Sequence, residues 1–186
     1  MWLRHQSFLR KGHVMSKLAF IFPGQGAQKA GMGKDFYENS EAARSFFDNA
    51  QEILDFDLKE MCFGEHEELN LTEYTQPCMV SVCLAIVQEL KKRGINPDIT
   101  AGLSLGEYAA VAAAGGMNEL NAIKLVRRRG ILMQNTVPTG EGAMAAVLGL
   151  DAKKIEEILE SFENVWIANY NCPGQIVITG LTNEVK

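Results

Sequence analysis

The chain has 186 residues, 47% of them hydrophobic and 22% charged, with 17 glycines and 5 prolines. That length and mix suit one domain, or one domain with a small satellite, and exclude a disordered or collagen-like chain. The net charge of −5 is uneven: residues 1–14 hold Arg4, Arg10 and Lys11 with no acid, so +3 sits there and −8 on the other 172. Nucleic acid is therefore not the expected partner, because phosphate binding needs a basic face. No apolar run reaches the ~18 residues of a membrane span, so no membrane partner is expected either. Cys62, Cys78, Cys83 and Cys172 form no C-x-x-C pair, which argues against zinc and disulfides and for a reducing, cytoplasmic setting.

In chain order, residues 1–14 lack the apolar centre of a secretory signal. They read as an organellar presequence or as an extension ahead of the native start, and the clean strand that follows favours the extension. From Lys17 the run Leu-Ala-Phe-Ile-Phe suits a strand buried on both faces, ended by the turn Pro23-Gly24-Gln25-Gly26. A polar helical region follows, with Phe36, Phe46, Phe47, Ile53 and Leu54 as core contacts, and residues 62–73 read as an acidic loop. Pro77 is expected to open a helix to about Leu90, stopped by Lys91-Lys92-Arg93-Gly94. Its stretch Cys78–Val87 is the greasiest in the chain and predicts a buried helix. Asn96-Pro97 then turns into a short strand, Asp98–Gly102.

Helices are predicted over Leu105–Ala114, ended by Gly115-Gly116, and from an Asn118 cap to about Asn135. Strands alternating with helices imply a parallel sheet covered by helices. Beyond Pro138-Thr139-Gly140 the pattern becomes strand (143–150), helix capped by Asp151 (to Phe162), strand (165–170), turn (171–174) and strand (175–180). That is β-α-β-β, the first four elements of a ferredoxin-like unit. Thr182–Lys186 reads as the start of a further helix, so the expected organisation is 1–14 extension, 15–138 part of an α/β core and 139–186 an incomplete subdomain.

Gly102-Leu103-Ser104-Leu105-Gly106 carries the clearest chemistry. A G-x-S-x-G between a predicted strand and a predicted helix is the setting of a nucleophile elbow. The glycines avoid Cβ clashes in the sharp turn, and the helix N-terminus favours developing negative charge. The Leu105 amide is then one oxyanion donor. The plain alternative is a serine N-cap in a glycine-containing loop.

The turn at Gly24 and Gly26 fails as a phosphate loop. Lys29 stands where the dinucleotide fingerprint needs glycine or alanine, and Met32 stands where a P-loop needs lysine. Elbow enzymes draw their second oxyanion amide from the loop after an early strand, where Gln25 sits; the plain alternative, preferred were Ser104 absent, is an ordinary glycine-rich turn.

In Arg127-Arg128-Arg129, turning a helix at 100° per residue puts Arg128 with Asn121 and Lys124 on the polar side. Arg129 falls between Leu125 and Leu132 on one flank and Val126 and Met133 on the other. A guanidinium inside an apolar arc needs an anion, either an internal carboxylate or a substrate carboxylate held bidentately.

Together FIFPGQGAQKAGMG (20–33), YTQP (74–77), GLSLGEYAA (102–110), RRRGILMQ (127–134), GAMAAVLGL (142–150) and NYNCPGQIVITG (169–180) resemble the malonyl-CoA:acyl-carrier-protein transacylase family, in the family's order. The resemblance implies an α/β-hydrolase-like core with a ferredoxin-like subdomain. It implies Ser104 as the nucleophile that accepts malonyl from coenzyme A, and the amides of Gln25 and Leu105 as the oxyanion hole. It implies Arg129 as the partner of the malonyl carboxylate, with Gln76, Met133 and Asn169 lining the pocket. Malonyl-CoA is then the substrate, and acyl carrier protein the acceptor, in fatty acid or polyketide biosynthesis. No metal and no redox cofactor is implied, and a monomer is expected for the full-length protein.

Three departures stand out. Leu103 occupies a position where many members have histidine, and Cys172 replaces a common serine after Asn171. The third concerns the base that a serine nucleophile needs. The family's histidine lies downstream of the small subdomain, whereas the histidines here are at 5, 13 and 66. His66 sits in the acidic run Gly64–Glu68 and reads as a solvated side chain. The expectation is a chain truncated before its catalytic histidine and weakly active or inactive alone. The alternatives are a serine hydrolase or thioesterase that passes the acyl group to water, and a non-catalytic fragment that only docks acyl carrier protein.

Overall fold

A computed structural model describes residues 17–138 and 140–186; the expected extension 1–14 lies outside the described residues. Two units are distinguished, the first comprising the described residues to Asn70 with Tyr74–Arg127, the second Leu71–Glu73 with Arg128–Lys186. The structure is mixed α/β, with a parallel pair of strands in the first unit and a small antiparallel sheet in the second.

In the first unit, β1 (Ala19–Phe22) and β2 (Ile99–Gly102) pair in parallel, with Ala19 opposite Ile99 and Phe22 opposite Gly102. The expectation of a strand buried on both faces is corrected. Phe20 and Phe22 turn inward, whereas Ile21 is 78% exposed and Ile99 52% exposed. The pleat sends alternate side chains to opposite faces, and only the phenylalanine face is packed on the core.

The polar region resolves into α1 (Lys34–Asn39), α2 (Glu41–Gln51) and α3 (Leu58–Phe63). Ser40 and Asp57 cap the last two, accepting from the Ala43 and Glu60 amides at 3.0 and 2.9 Å. Such caps are worth about 1 kcal/mol each. Phe46 and Phe47 are buried as expected, and Tyr37, Phe47 and Phe63 form an aromatic trio with centroids 5.4–5.9 Å apart.

The next helix, α4 (Thr72–Lys92), corrects two expectations. Residues 62–73 are not one loop: they hold the end of α3, a 3₁₀ turn at Glu67–Asn70 and the first residues of α4. Pro77 lies inside α4 rather than opening it. Proline is best tolerated in a helix's first turn, so the sequence points to 77 as the start. Tertiary contacts override it. The Gln134 carboxamide accepts from the Thr72 amide at 3.0 Å, and a Cβ on Gly130 would lie 2.8 Å from the Glu73 Cα, so that helix packs directly on this turn. Cys78–Val87 is largely buried, as its composition predicts.

Two more helices follow, α5 (Gly106–Ala113) and α6 (Glu119–Thr136). Asn118 caps α6 by accepting from the Asn121 amide at 3.1 Å. Phe47, Leu58, Leu84, Leu105, Ile123 and Val126 are all under 2% exposed and centre the core, each contributing about 1.5–3 kcal/mol on burial.

In the second unit, β3 (Gly142–Leu148), β4 (Val165–Cys172) and β5 (Gln175–Leu181) form an antiparallel sheet of order β3-β5-β4, with α7 (Ala152–Leu159) between β3 and β4 in the chain. β5 runs between the two strands that α7 connects, a split βαβ arrangement. Asp151 caps α7 through the Lys153 amide at 3.0 Å, and Ile155 buries the helix's apolar side. The four-residue α8 (Thr182–Val185) is too short to persist alone. It is tied by Asn164 Nδ2 donating to Glu184 Oε1 at 2.8 Å and by the Thr182 amide donating to the Glu141 carbonyl at 2.9 Å.

Candidate active site

Ser104 sits where β2 hands over to α5, exposed, with φ of 50°. It is the one non-glycine residue with positive φ among the described residues. A left-handed serine costs on the order of 1–2 kcal/mol and persists only when its surroundings impose it. They do so through backbone. Leu103 donates to the Phe22 carbonyl at 3.1 Å, Gly106 to the Leu103 carbonyl at 2.9 Å, and Glu107 to the Ser104 carbonyl at 3.1 Å.

Both flanking glycines are sterically required. A Cβ on Gly102 would lie 2.1 Å from the Gly106 carbonyl carbon, and a Cβ on Gly106 would lie 2.3 Å from the Phe22 carbonyl oxygen. The elbow is thus folded tightly on itself and onto the end of β1.

The 23–26 turn joins this cluster. A Cβ on Gly24 would approach the Leu103 carbonyl oxygen to 2.9 Å and the Leu103 Cγ to 3.4 Å, so the turn rests on the elbow. Gln25 and Gly26 form its exposed tip, with Gly26 at φ 107°. Leu105 is 1% exposed and begins the approach to α5. Its amide is among those at a helix N-terminus that lack an intrahelical acceptor and that favour an anion. Ser104, Leu105 and the Gln25 turn are therefore brought together.

The other candidates are placed as follows. Gln76 is fully buried in α4 of the first unit. Arg129 and Met133 lie on α6 in the second unit, Arg129 half-buried and Met133 47% exposed. Asn169 is half-buried in β4, at a register shift between Ile167 and Asn169. The apolar arc expected around Arg129 is mostly open, since Leu125 and Leu132 are 43% and 58% exposed. The stripe that packs inward is instead Ile123, Val126 and Gly130, with Arg127 on the same i, i+3, i+4, i+7 face.

Arg127, on the stripe that packs inward, pairs with an internal carboxylate. Its Nε reaches Asp55 Oδ1 at 2.8 Å and its second nitrogen reaches Oδ2 at 2.9 Å, a bidentate pair. It also lies over the rings of Phe56 and Tyr74, 5.2 and 5.0 Å from their centroids. Hydrogen bonding to Arg127 holds the Asp55 carboxyl below its ordinary range. The stripe periodicity at 123-126-127-130 is the signal that could have found it.

His66 pairs with Glu60, Nε2 to Oε1 at 3.0 Å, on the loop after α3. Hydrogen bonding with Cys78, then burial, pushes the Cys62 thiol well above its usual range. Among the described residues, no three or more His, Cys, Asp or Glu come together as a metal site, and no helix is long and apolar enough to cross a membrane.

The profile of the acyl transferase domain matches residues 19–186. The chain belongs to the acyl transferase domain family. It is 48% identical over 177 residues to the malonyl CoA-acyl carrier protein transacylase of Bacillus subtilis, covering 92% of this chain and 56% of that protein. The solved transacylase of Clostridium perfringens superposes with a TM-score of 0.83 at 45% identity, over 90% of this chain and 54% of that one. A malonyl-transacylase solved in complex with its type II PKS acyl-carrier protein gives a TM-score of 0.84 at 39% identity, over 91% and 57% of the two chains. The chain thus spans about half the length of the acyl transferases it matches.

Proposed function

We propose that this chain carries the nucleophile and oxyanion hole of a malonyl-CoA:acyl-carrier-protein transacylase. The supporting observation is Ser104 at φ 50°, clamped on the strand-to-helix turn against the Gln25 loop. The names of its relatives, and the acyl-carrier complex of one of them, support the substrate and the acceptor.

In this reading Ser104 Oγ attacks the thioester carbonyl of malonyl-CoA, and the amides of Gln25 and Leu105 receive the developing oxyanion. Each such donor is worth about 10²–10³-fold in rate. Coenzyme A leaves as its thiol, and the acyl-serine is then attacked by the phosphopantetheine thiol of acyl carrier protein, which regenerates Ser104. A histidine outside these 186 residues takes the Ser104 proton and returns it to the leaving thiol. Arg129 pairs with the malonyl carboxylate, and Gln76, Met133 and Asn169 line the pocket. The thioester is already activated, so the cycle as proposed uses no metal or redox cofactor.

The accompanying architecture is an α/β-hydrolase-like core over 15–138 with a ferredoxin-like subdomain from 139. The split βαβ order supports the subdomain. The setting is a cytoplasmic monomer that supplies fatty acid or polyketide synthesis.

The test joins this chain to the C-terminal remainder of the Bacillus subtilis relative and supplies malonyl-CoA, acetyl-CoA and acyl carrier protein. Malonyl-acyl carrier protein is the expected product; free malonate in its place would establish the hydrolase reading. Arg129→Ala is expected to slow malonyl loading about 10- to 100-fold, the worth of hydrogen bonds to a charged group, and to leave acetyl loading unchanged. Equal losses for both acyl groups would remove Arg129 from substrate binding.

A further inference from the structure

The Gln25 loop has no regular secondary structure, yet an oxyanion donor must be held in place before charge develops. Leu103 supports it from one side, under Gly24. On the other side the Gln28 carboxamide spans two partners. Its Oε1 accepts from the Gly26 amide at 2.8 Å, and its Nε2 donates to Asn70 Oδ1, on the 3₁₀ turn, at 3.1 Å. Both halves of the amide are therefore committed, which fixes its orientation.

Gln28 and Asn70 border a cleft of about 460 Å³ whose other walls include Lys29, Glu65 and Glu67. Gly26, at φ 107°, has no atom beyond its own chain neighbours within 4 Å of where a Cβ would stand. The loop tip is thus open to water on that side, and the side-chain bridge ties the Gly26 amide to the 3₁₀ turn.

We infer that Gln28 is a positioning residue: its carboxamide straps the Gly26 amide to Asn70 and so holds the Gln25 amide in line with Ser104. The inference rests on the transacylase reading for its catalytic consequence, whereas the strap itself is a property of the fold. A displacement of ~1 Å in a catalytic group costs up to about 10²-fold, so an unstrapped loop costs rate without weakening binding.

The experiment compares Gln28→Ala, Asn70→Ala, the double variant and Gln28→Glu, each in the joined chain described above. Two quantities are read: water exchange of the Gly26 amide by NMR, and the rate of malonyl loading on Ser104 against malonyl-CoA concentration. The expected results for Gln28→Ala are faster Gly26 exchange and a roughly 10- to 100-fold lower saturating rate, with half-saturation within about twofold. The double variant loses no more than the worse single one, because both residues act as one link. Gln28→Glu recovers most of the rate: it keeps the acceptor facing Gly26, and the Asn70 amide turns to donate.

Unchanged Gly26 exchange in Gln28→Ala overturns the strap. Faster exchange with an unchanged loading rate, or additive losses in the double variant, overturns the positioning role. Absence of malonyl on Ser104 in the unsubstituted joined chain overturns the transacylase reading and with it the catalytic consequence, and Gly26 exchange then decides the strap alone.

Discussion

Gly102→Ala strikes the elbow where it is tightest. The new Cβ would lie 2.1 Å from the Gly106 carbonyl carbon, 2.2 Å from its oxygen and 2.3 Å from the Glu107 nitrogen. All three are backbone atoms, so no side chain can swing aside. Restoring an ordinary 3.4 Å contact means moving the first turn of α5 by more than about 1 Å relative to β2. That displacement strains or breaks the bonds from Leu103 to Phe22 (3.1 Å) and from Gly106 to Leu103 (2.9 Å). Each is worth about 1 kcal/mol, and overpacking adds about 1–3 kcal/mol, for a total of about 3–5 kcal/mol. Set against a typical 5–15 kcal/mol, that is a large fraction of the stability.

The control is Gly116→Ala, beyond the other end of α5. There the Cβ meets the movable Val111 Cγ1 at 3.1 Å and a carbonyl oxygen at 3.4 Å, and the expected cost is under about 1 kcal/mol. Urea unfolding of the two variants and the parent, at constant slope, measures both values. A Gly102→Ala chain within about 1 kcal/mol of the parent, or equal costs at 102 and 116, would refute the steric account of the elbow.

Two further outcomes are expected. Asp55→Asn removes the carboxylate that Arg127 holds; with Asp55 65% exposed, the loss at neutral pH is about 1 kcal/mol or less after solvent screening. Because the folded-state pKa is lowered, that stabilisation is present above the ordinary value of 3.8 and is lost as pH falls through the folded one. The gap in melting temperature between parent and variant is therefore constant from about pH 5 to 8 and closes below about pH 4; a gap unchanged at pH 2 contradicts the pairing. Brief iodoacetamide treatment of the native chain at pH 8, read by peptide mass, is expected to mark Cys172 first. Cys62 and Cys78 are buried, and burial pushes the Cys83 thiol up to about 11, which leaves on the order of one thiolate in a thousand. Labelling of Cys62 or Cys78 at the rate of Cys172 would contradict the core described above.

The elbow was legible in sequence because its constraint is local. Only glycine fits two residues either side of Ser104, and the flanking strand and helix patterns supply the setting. The caps at Asn118 and Asp151 were legible for the same reason. What escaped depends on distant partners. The start of α4 is set by Gln134, 62 residues away, against the local signal of Pro77. The openness of Ile21 and Ile99 is a matter of which face meets the core, and a run of apolar residues looks alike on both faces. Among the three arginines, a wheel drawn around exposed Leu125 and Leu132 directs attention to Arg129. The inward stripe runs through Ile123 and Val126 and points to Arg127, whose partner Asp55 lies 72 residues away in sequence. Gln28 lies within the 20–33 motif, but the bridge to Asn70 spans 42 residues and leaves no local pattern.

The site of malonyl attachment separates an acyl-serine transferase from every other reading of Ser104. The joined chain and its Ser104→Ala variant are quenched in acid shortly after mixing with malonyl-CoA, digested and mapped by mass. One malonyl group per chain is expected, on the Ser104 peptide, and none in the variant. Label on Cys172 or another side chain that persists in Ser104→Ala, or no label in the parent, would contradict it.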